Sequence, residues 1–214
     1  MKKAILIFAM VVLTGGLVSG QDLSTTHSIR SYYTFSWNTT FPMGDFSQWV
    51  ENPSCAGFDV GGRYFIMEGL VAGFNVSWQR VGQTYDNETF FIPEKGIAIT
   101  ATNYRMTWMV PFQAVIAWHF IPTKTVTPYI GLGIGGDYME HHLMIQEYDM
   151  YETQWDFSLT PEVGVLAKFG KYSNVAGLLA FNYKWTTNKI EVGNDKSQNL
   201  QMLNLKVGIV YVVD

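Results

Sequence analysis

From Tyr104 to Phe120 every even position is apolar: Tyr104, Met106, Trp108, Val110, Phe112, Ala114, Ile116, Trp118 and Phe120. The odd positions include Arg105, Thr107, Gln113 and His119. Successive side chains of a strand point to opposite faces, so this repeat of two dictates a long strand with two unlike faces.

Two further segments divide in the same way. Val126, Pro128, Ile130, Leu132, Ile134 and Tyr138 oppose Thr127, Tyr129, three glycines and Asp137. Trp155, Phe157, Leu159, Pro161, Val163, Val165 and Phe169 oppose Gln154, Asp156, Ser158, Thr160, Glu162 and Lys168. Less regular alternation over 29–39, 55–66, 69–81, 174–187 and 199–213 brings the expected count to about eight strands. Short turns are expected near Met67 to Gly69, Ile121 to Thr125 and Gly170 to Ser173, and long polar loops near 40–54, 82–102, 140–152 and 188–198. Alternating short and long connections are the habit of outer-membrane barrels, which puts both termini at the periplasmic end.

The first residues set the compartment. Lys2-Lys3, an apolar run from Ala4 to Val12 and the small-residue stretch Leu17-Val18-Ser19-Gly20 read as a secretory signal. Its apolar core is short for a helix that must cross ~30 Å of hydrocarbon. Residues 1–20 are therefore assigned to a cleaved leader and 21–214 to one β-barrel domain. No later stretch is apolar for ~20 residues, so a closed barrel is the membrane-spanning option left.

Composition helps decide which face is outside. Charged residues make up only 15% of the chain and aromatics another 15%, a sparse charge for a surface in water. The apolar faces carry Trp78, Trp108, Trp118, Trp155 and Trp185, which cannot all fit within eight strands. The opposite faces hold Gly57, Gly61, Gly73, Gly131, Gly133, Gly135 and Gly164, small enough to point inward. Bulky faces meet lipid and polar faces meet the lumen; a secreted ligand-binding barrel of the lipocalin kind is the alternative.

By parity Arg30, Arg63, Arg105, Lys168, Lys184 and Lys206 face inward, as do Asp59, Asp137, Asp156 and Glu162. Opposite charges in so narrow a space must pair to offset desolvation. A polar network that fills the lumen is expected, and with it no continuous conduction.

In the last segment Lys206, Gly208, Tyr211 and Val213 resemble the barrel-assembly signal of a polar residue, a glycine two on and then hydrophobic or aromatic positions. Pro128-Tyr129 ahead of a glycine-rich strand is similar to a mid-barrel strand of the same group. Across 28–214 the chain resembles the small outer-membrane β-barrel superfamily of OmpX and OmpW types, in a form common among porin-family proteins of Bacteroidetes. It differs in carrying Asp214 where an aromatic closes the signal. The resemblance implies insertion by the barrel-assembly machinery among outer-membrane lipid and lipopolysaccharide. It does not fix a function, since one scaffold serves several.

Motifs of chemistry are thin. Gly131, Gly133 and Gly136 spell G-x-G-x-x-G after a strand, but a dinucleotide site needs a helix to follow, and here the strand continues. His141 and His142 with Glu140 and Glu147 suggest a metal cluster, yet adjacent histidines in a strand point apart, and a solvated loop is the expectation. His119 and the inward Ser158 and Ser77 show no nucleophile-and-base spacing. Cys55 is alone, which excludes an intrachain disulfide. Asn38, Asn75 and Asn87 head sequons without meaning in a bacterial barrel. Loss of the leader takes the net charge from −4 to about −6, which excludes a nucleic-acid partner. Neither cofactor nor catalysis is expected.

The leading expectation is a non-enzymatic outer-membrane barrel that stabilises the envelope and meets an unknown extracellular partner through its loops, with Phe41, Phe46, Trp49, Tyr85, Phe90, Phe91 and Tyr148 as candidate contacts. The alternatives are a narrow OmpW-like route for small apolar molecules, with Met109, Pro111 and Pro161 disturbing the wall, and an accessory part of an export machine.

Overall fold

The computed structural model describes residues 31–92, 97–120, 126–145, 148–169, 173–187, 189–190 and 197–213. The predicted leader, Arg30 and parts of several connections lie outside them. The elements are β1 (Ser31–Met43), α1 (Phe46–Trp49), β2 (Ala56–Met67), β3 (Leu70–Ile92), β4 (Ile97–His119), β5 (Val126–Ile145), β6 (Tyr148–Lys168), β7 (Val175–Thr186), β8 (Lys189–Ile190), β9 (Ser197–Gln198) and β10 (Gln201–Val213).

Eight of these strands close an antiparallel barrel in the order β1-β10-β7-β6-β5-β4-β3-β2, while β8 and β9 pair separately. Closure comes from β1 and β10, in register from Ser31 with Val213 to Met43 with Gln201. Gly208 lets this seam close tightly, because a Cβ there would sit 2.3 Å from the Phe35 carbonyl oxygen. At the foot of the barrel β2 passes to β3 through Glu68 and Gly69, and the positive φ of Gly69, 82°, is one that glycine adopts without strain.

The alternation read from sequence holds around the wall. Phe35, Trp37, Phe74, Phe112, Ile116, Ile130, Val163, Leu179, Phe181 and Ile209 are exposed on the outside. Asn75, Ser77, Gln79, Gln113, Thr160, Asn182 and Asn204 are buried within. Aromatics gather at two heights: Tyr33, Tyr64, Trp118, Phe120, Phe169 and Tyr211 near the short turns, and Trp37, Phe58, Trp78, Trp108 and Trp155 toward the other end. An apolar exterior between aromatic girdles is the surface of a barrel solvated by lipid.

Two predicted loops are corrected. Residues 82–102 and 140–152 are mostly strand: β3 and β4 pair up to Ile92 with Ile97, and β5 and β6 up to Ile145 with Tyr148. The ladder of β2 stops at Ala56 with Arg80, and that of β7 at Ser158 with Thr186. The upper parts of β3, β4, β5 and β6 therefore stand beyond the barrel as a projecting four-stranded sheet. Its outer face meets water instead of lipid and its inner face mixes polar residues with Val81, Met139 and Leu143, which pack under α1, so the repeat of two that marks the membrane wall fades there.

Candidate functional site

The lumen is stacked in three layers rather than uniformly polar. At the short-turn end Tyr32, Val71, Ala117, Tyr129, Ala176, Leu178, Val210 and Val212 form an apolar floor. His119 is buried in it, 2.9 Å from the Tyr32 hydroxyl and packed on the Tyr129 ring. Gly164 makes room for that ring, since a Cβ there would meet it at 2.7 Å.

Above the floor the predicted charges meet. Lys206 Nζ lies 2.9 Å from Asp59 Oδ2 and 3.1 Å from Glu162 Oε2. Tyr129 donates its hydroxyl to Glu162, and Asn75 donates to Asp59. Arg63 donates to the Phe74 carbonyl and borders the same space, where Gly61 has no room for a side chain against the Arg63 guanidinium, Asn75 and Thr34. Higher up, Lys184 on β7 reaches Asp137 on β5 at 2.6 Å, and Ser158 between them donates to Asp137. Gln113 donates to Ser158 and Thr160. Two cavities beside these layers have volumes of about 10 Å³ and 20 Å³, room for water and for nothing larger.

The third layer was not anticipated. The segment after β1 turns into the lumen and α1 seals it, with Phe46, Trp49 and Val50 buried against Val81, Met109, Met139, Leu143, Ile190, Leu200 and Met202. Trp49 donates its indole N–H to Thr107, whose hydroxyl also meets His141 Nδ1 at 2.9 Å. Arg105 covers Trp49 and Tyr85 with its guanidinium, donates to the Gln48 carbonyl and pairs with Glu88 at 2.7 Å. Gln83 accepts from the Glu51 and Asn52 amides, and Tyr85 donates to the Trp49 carbonyl. Burial raises the Tyr85 hydroxyl above its ordinary range, with Arg105 pulling the other way.

The structure thus brings Asp59, Arg63, Glu162 and Lys206 together, pairs Asp137 with Lys184, and sets Arg105 apart, over Trp49 of α1. Asp156 is half-buried beside Asp137 across the β5–β6 ladder. Lys168 stands outside the network, at the floor, with no ion pair among the described residues. In the assembly signal Lys206 and Gly208 face the lumen, while Tyr211 and Val213 face outward.

Phe46 and Trp49, expected as outward contacts, are instead lumen residues, because burial of two large aromatics outweighs the cost of folding a short loop inward. His141, expected in a solvated loop, is buried, whereas His142 faces out between Asp149 and Glu140. Phe41 is exposed and Tyr85 half-buried; the side chains of Phe90, Phe91 and Tyr148 lie outside the description.

No known family profile matches the chain, and no curated protein matches it by sequence. Solved structures do match. Neisserial surface protein A aligns with a TM-score of 0.51 at 14% identity, over 85% of this chain and 96% of that one. Ail, the attachment invasion locus protein of Yersinia pestis, gives 0.50 at 11% identity, over 87% and 99%. Likeness at these identities speaks for the fold, and it agrees with the lipid-facing exterior and the closed eight-stranded order: the chain has the fold of the small outer-membrane β-barrels.

Proposed function

We propose that this protein is a non-conducting, non-enzymatic barrel of the outer membrane that serves recognition at the cell surface through its projecting sheet. The observation that carries this reading is the sheet itself. Some ten residues of β3 and of β6 continue past their last barrel partners, about 30 Å of strand. Among the described residues β6 forms no ladder on its β7 side from Tyr148 to Phe157, with β8 near it where Gln154 donates its side chain to the Lys189 carbonyl, and a strand edge without a ladder is a template for another chain's backbone. Met150, Tyr151 and Trp155 are exposed along it. The name of Ail, an attachment protein of the same fold, agrees with such a role.

The layered lumen supports the non-conducting half of the reading. The test is planar-bilayer recording of the folded barrel, joined to attachment of cells displaying either the intact chain or one with both projecting hairpins shortened. Expected are no stable channels and attachment that depends on the hairpins. Discrete channels, or attachment indifferent to the hairpins, overturn the respective half.

A second reading, passage of small apolar molecules, has one observation in its favour. Val81, Met109, Met139, Leu143 and Met202 line an apolar chamber at the outer end, and two ladders lack pairs next to proline, at Pro111 and Pro161. Phe46 and Trp49 fill that chamber. Competition for an apolar fluorescent probe decides it: displacement by small apolar molecules supports passage, and no probe binding removes it.

A further inference from the structure

Arg80 is the exception on the barrel's outer wall. Among the described strand residues that face outward below the projecting sheet it is the one cation, and it makes no ion pair. From Leu70, ~10 residues of strand rising ~3.3 Å each and tilted ~40° put Arg80 about 25 Å above the foot of the wall. That is the height of the apolar band, so Arg80 stands where hydrocarbon gives way to headgroups.

The side chain is held in place. Arg80 Nε lies 3.0 Å from Met106 Sδ, its Nη2 donates to the Tyr104 hydroxyl at 3.2 Å, and the guanidinium lies over the Trp108 ring. Trp108 is fixed in turn by its own N–H on Met106 and by the edge of Trp78. Nη1 has no partner among the described residues. Tyr104 accepts from Arg80, which leaves its own O–H free to donate beside Nη1. Gly82 keeps the approach open: a Cβ there would lie 2.5 Å from the Tyr104 oxygen. The nearest outward carboxylate by register, Glu140, is across Trp108 on β5 and is engaged by His142 at 3.5 Å.

We propose that Arg80 and Tyr104 form a binding site for the phosphate of an outer-leaflet glycolipid, the phosphomonoester of lipid A. A dianionic phosphate at headgroup height accepts from Nη1 and the tyrosine hydroxyl together, and an arginine with a free edge suits that geometry better than a lysine. The site rests on the orientation used above, with the projecting sheet outside. It commits the barrel to the lipopolysaccharide leaflet rather than to phospholipid.

The test is retention of added lipid by the detergent-folded full barrel in native mass spectrometry, with diphosphoryl lipid A, the same lipid stripped of phosphate, and phosphatidylglycerol as probes. Wild type, Arg80→Gln, Tyr104→Phe and, as a distant control, Lys189→Gln are compared, each shown to fold by heat-modifiable mobility. Expected is preference for the diphosphoryl lipid, weakened about tenfold by Arg80→Gln, less by Tyr104→Phe, and untouched by Lys189→Gln. Equal retention by wild type and both site variants overturns the site. Indifference to the phosphates, or phosphatidylglycerol held as tightly, overturns the lipid A assignment. Loss of the heat shift in wild type would instead strike the barrel reading.

Discussion

Lys184 and Asp137 meet across β6, their charged atoms 2.6 Å apart and almost wholly shielded from solvent. The two strands are not paired with each other; the charges reach over β6 on its lumen side. With Ser158 donating to the same carboxylate, it ties β5, β6 and β7 together from inside.

Removal of one partner should therefore cost more than an ordinary lumen substitution. Lys184→Met leaves an uncompensated buried carboxylate and is expected to destabilise the barrel by ~3–5 kcal/mol. Lys184→Met with Asp137→Leu should recover most of that loss. Urea unfolding of the vesicle-inserted protein measures both, and a double variant no better than the single one would refute a paired charge.

Trp49 is the keystone of the outer seal. Trp49→Ala removes the largest buried side chain of that layer and should cost ~3–5 kcal/mol. The chamber around Met109, Met139 and Leu143 should then take up an apolar dye that the wild type ignores. Unchanged dye binding would mean that the surrounding side chains collapse into the space.

Arg105 holds the seal from above rather than from within the wall. Arg105→Ala frees Glu88, the Gln48 carbonyl and the faces of Trp49 and Tyr85. It should lower global stability by only ~1–3 kcal/mol, since Glu88 is partly exposed. Local opening should respond more, with amide exchange of the 46–52 segment faster by about tenfold or more. Exchange at wild-type rates would show that burial of Phe46 and Trp49 suffices alone.

Gly208 tests closure. Gly208→Val places a branched side chain against the β1 backbone and should abolish the heat-shifted band on electrophoresis. Normal mobility would show that β1 yields at this seam.

The parts of the fold written in the membrane wall were legible and the parts beyond it were not. Around Val110, Phe112 and Ile116 one face is solvated by lipid and the other by the lumen, so the residues must alternate. From Gln83 to Thr89 both faces lie outside the membrane, the constraint vanishes, and a strand reads like a loop. Parity placed Lys184, Lys206, Asp59 and Glu162 inside; it could not say who meets whom, because partners depend on how far neighbouring strands are staggered. The seal was hidden for another reason: α1 has four residues, and the hydrogen bond from Trp49 reaches Thr107, 58 positions away. No local pattern encodes a contact of that span.

Above Arg80 the projecting sheet rests mainly on its own ladders, β3 with β4 and β5 with β6, and on nothing that the lipid-facing wall requires. Its residues between Gly82 and Thr102, and between Glu140 and Glu152, are thus released from the demands that fix the barrel. Change there is cheap, except where Gln83, Tyr85, Glu88, His141 and Leu143 hold the outer seal. The molecule divides into a slow-changing root and a crown open to drift, and the crown is the part into which a foreign strand pair can be grafted without disturbing what lies below.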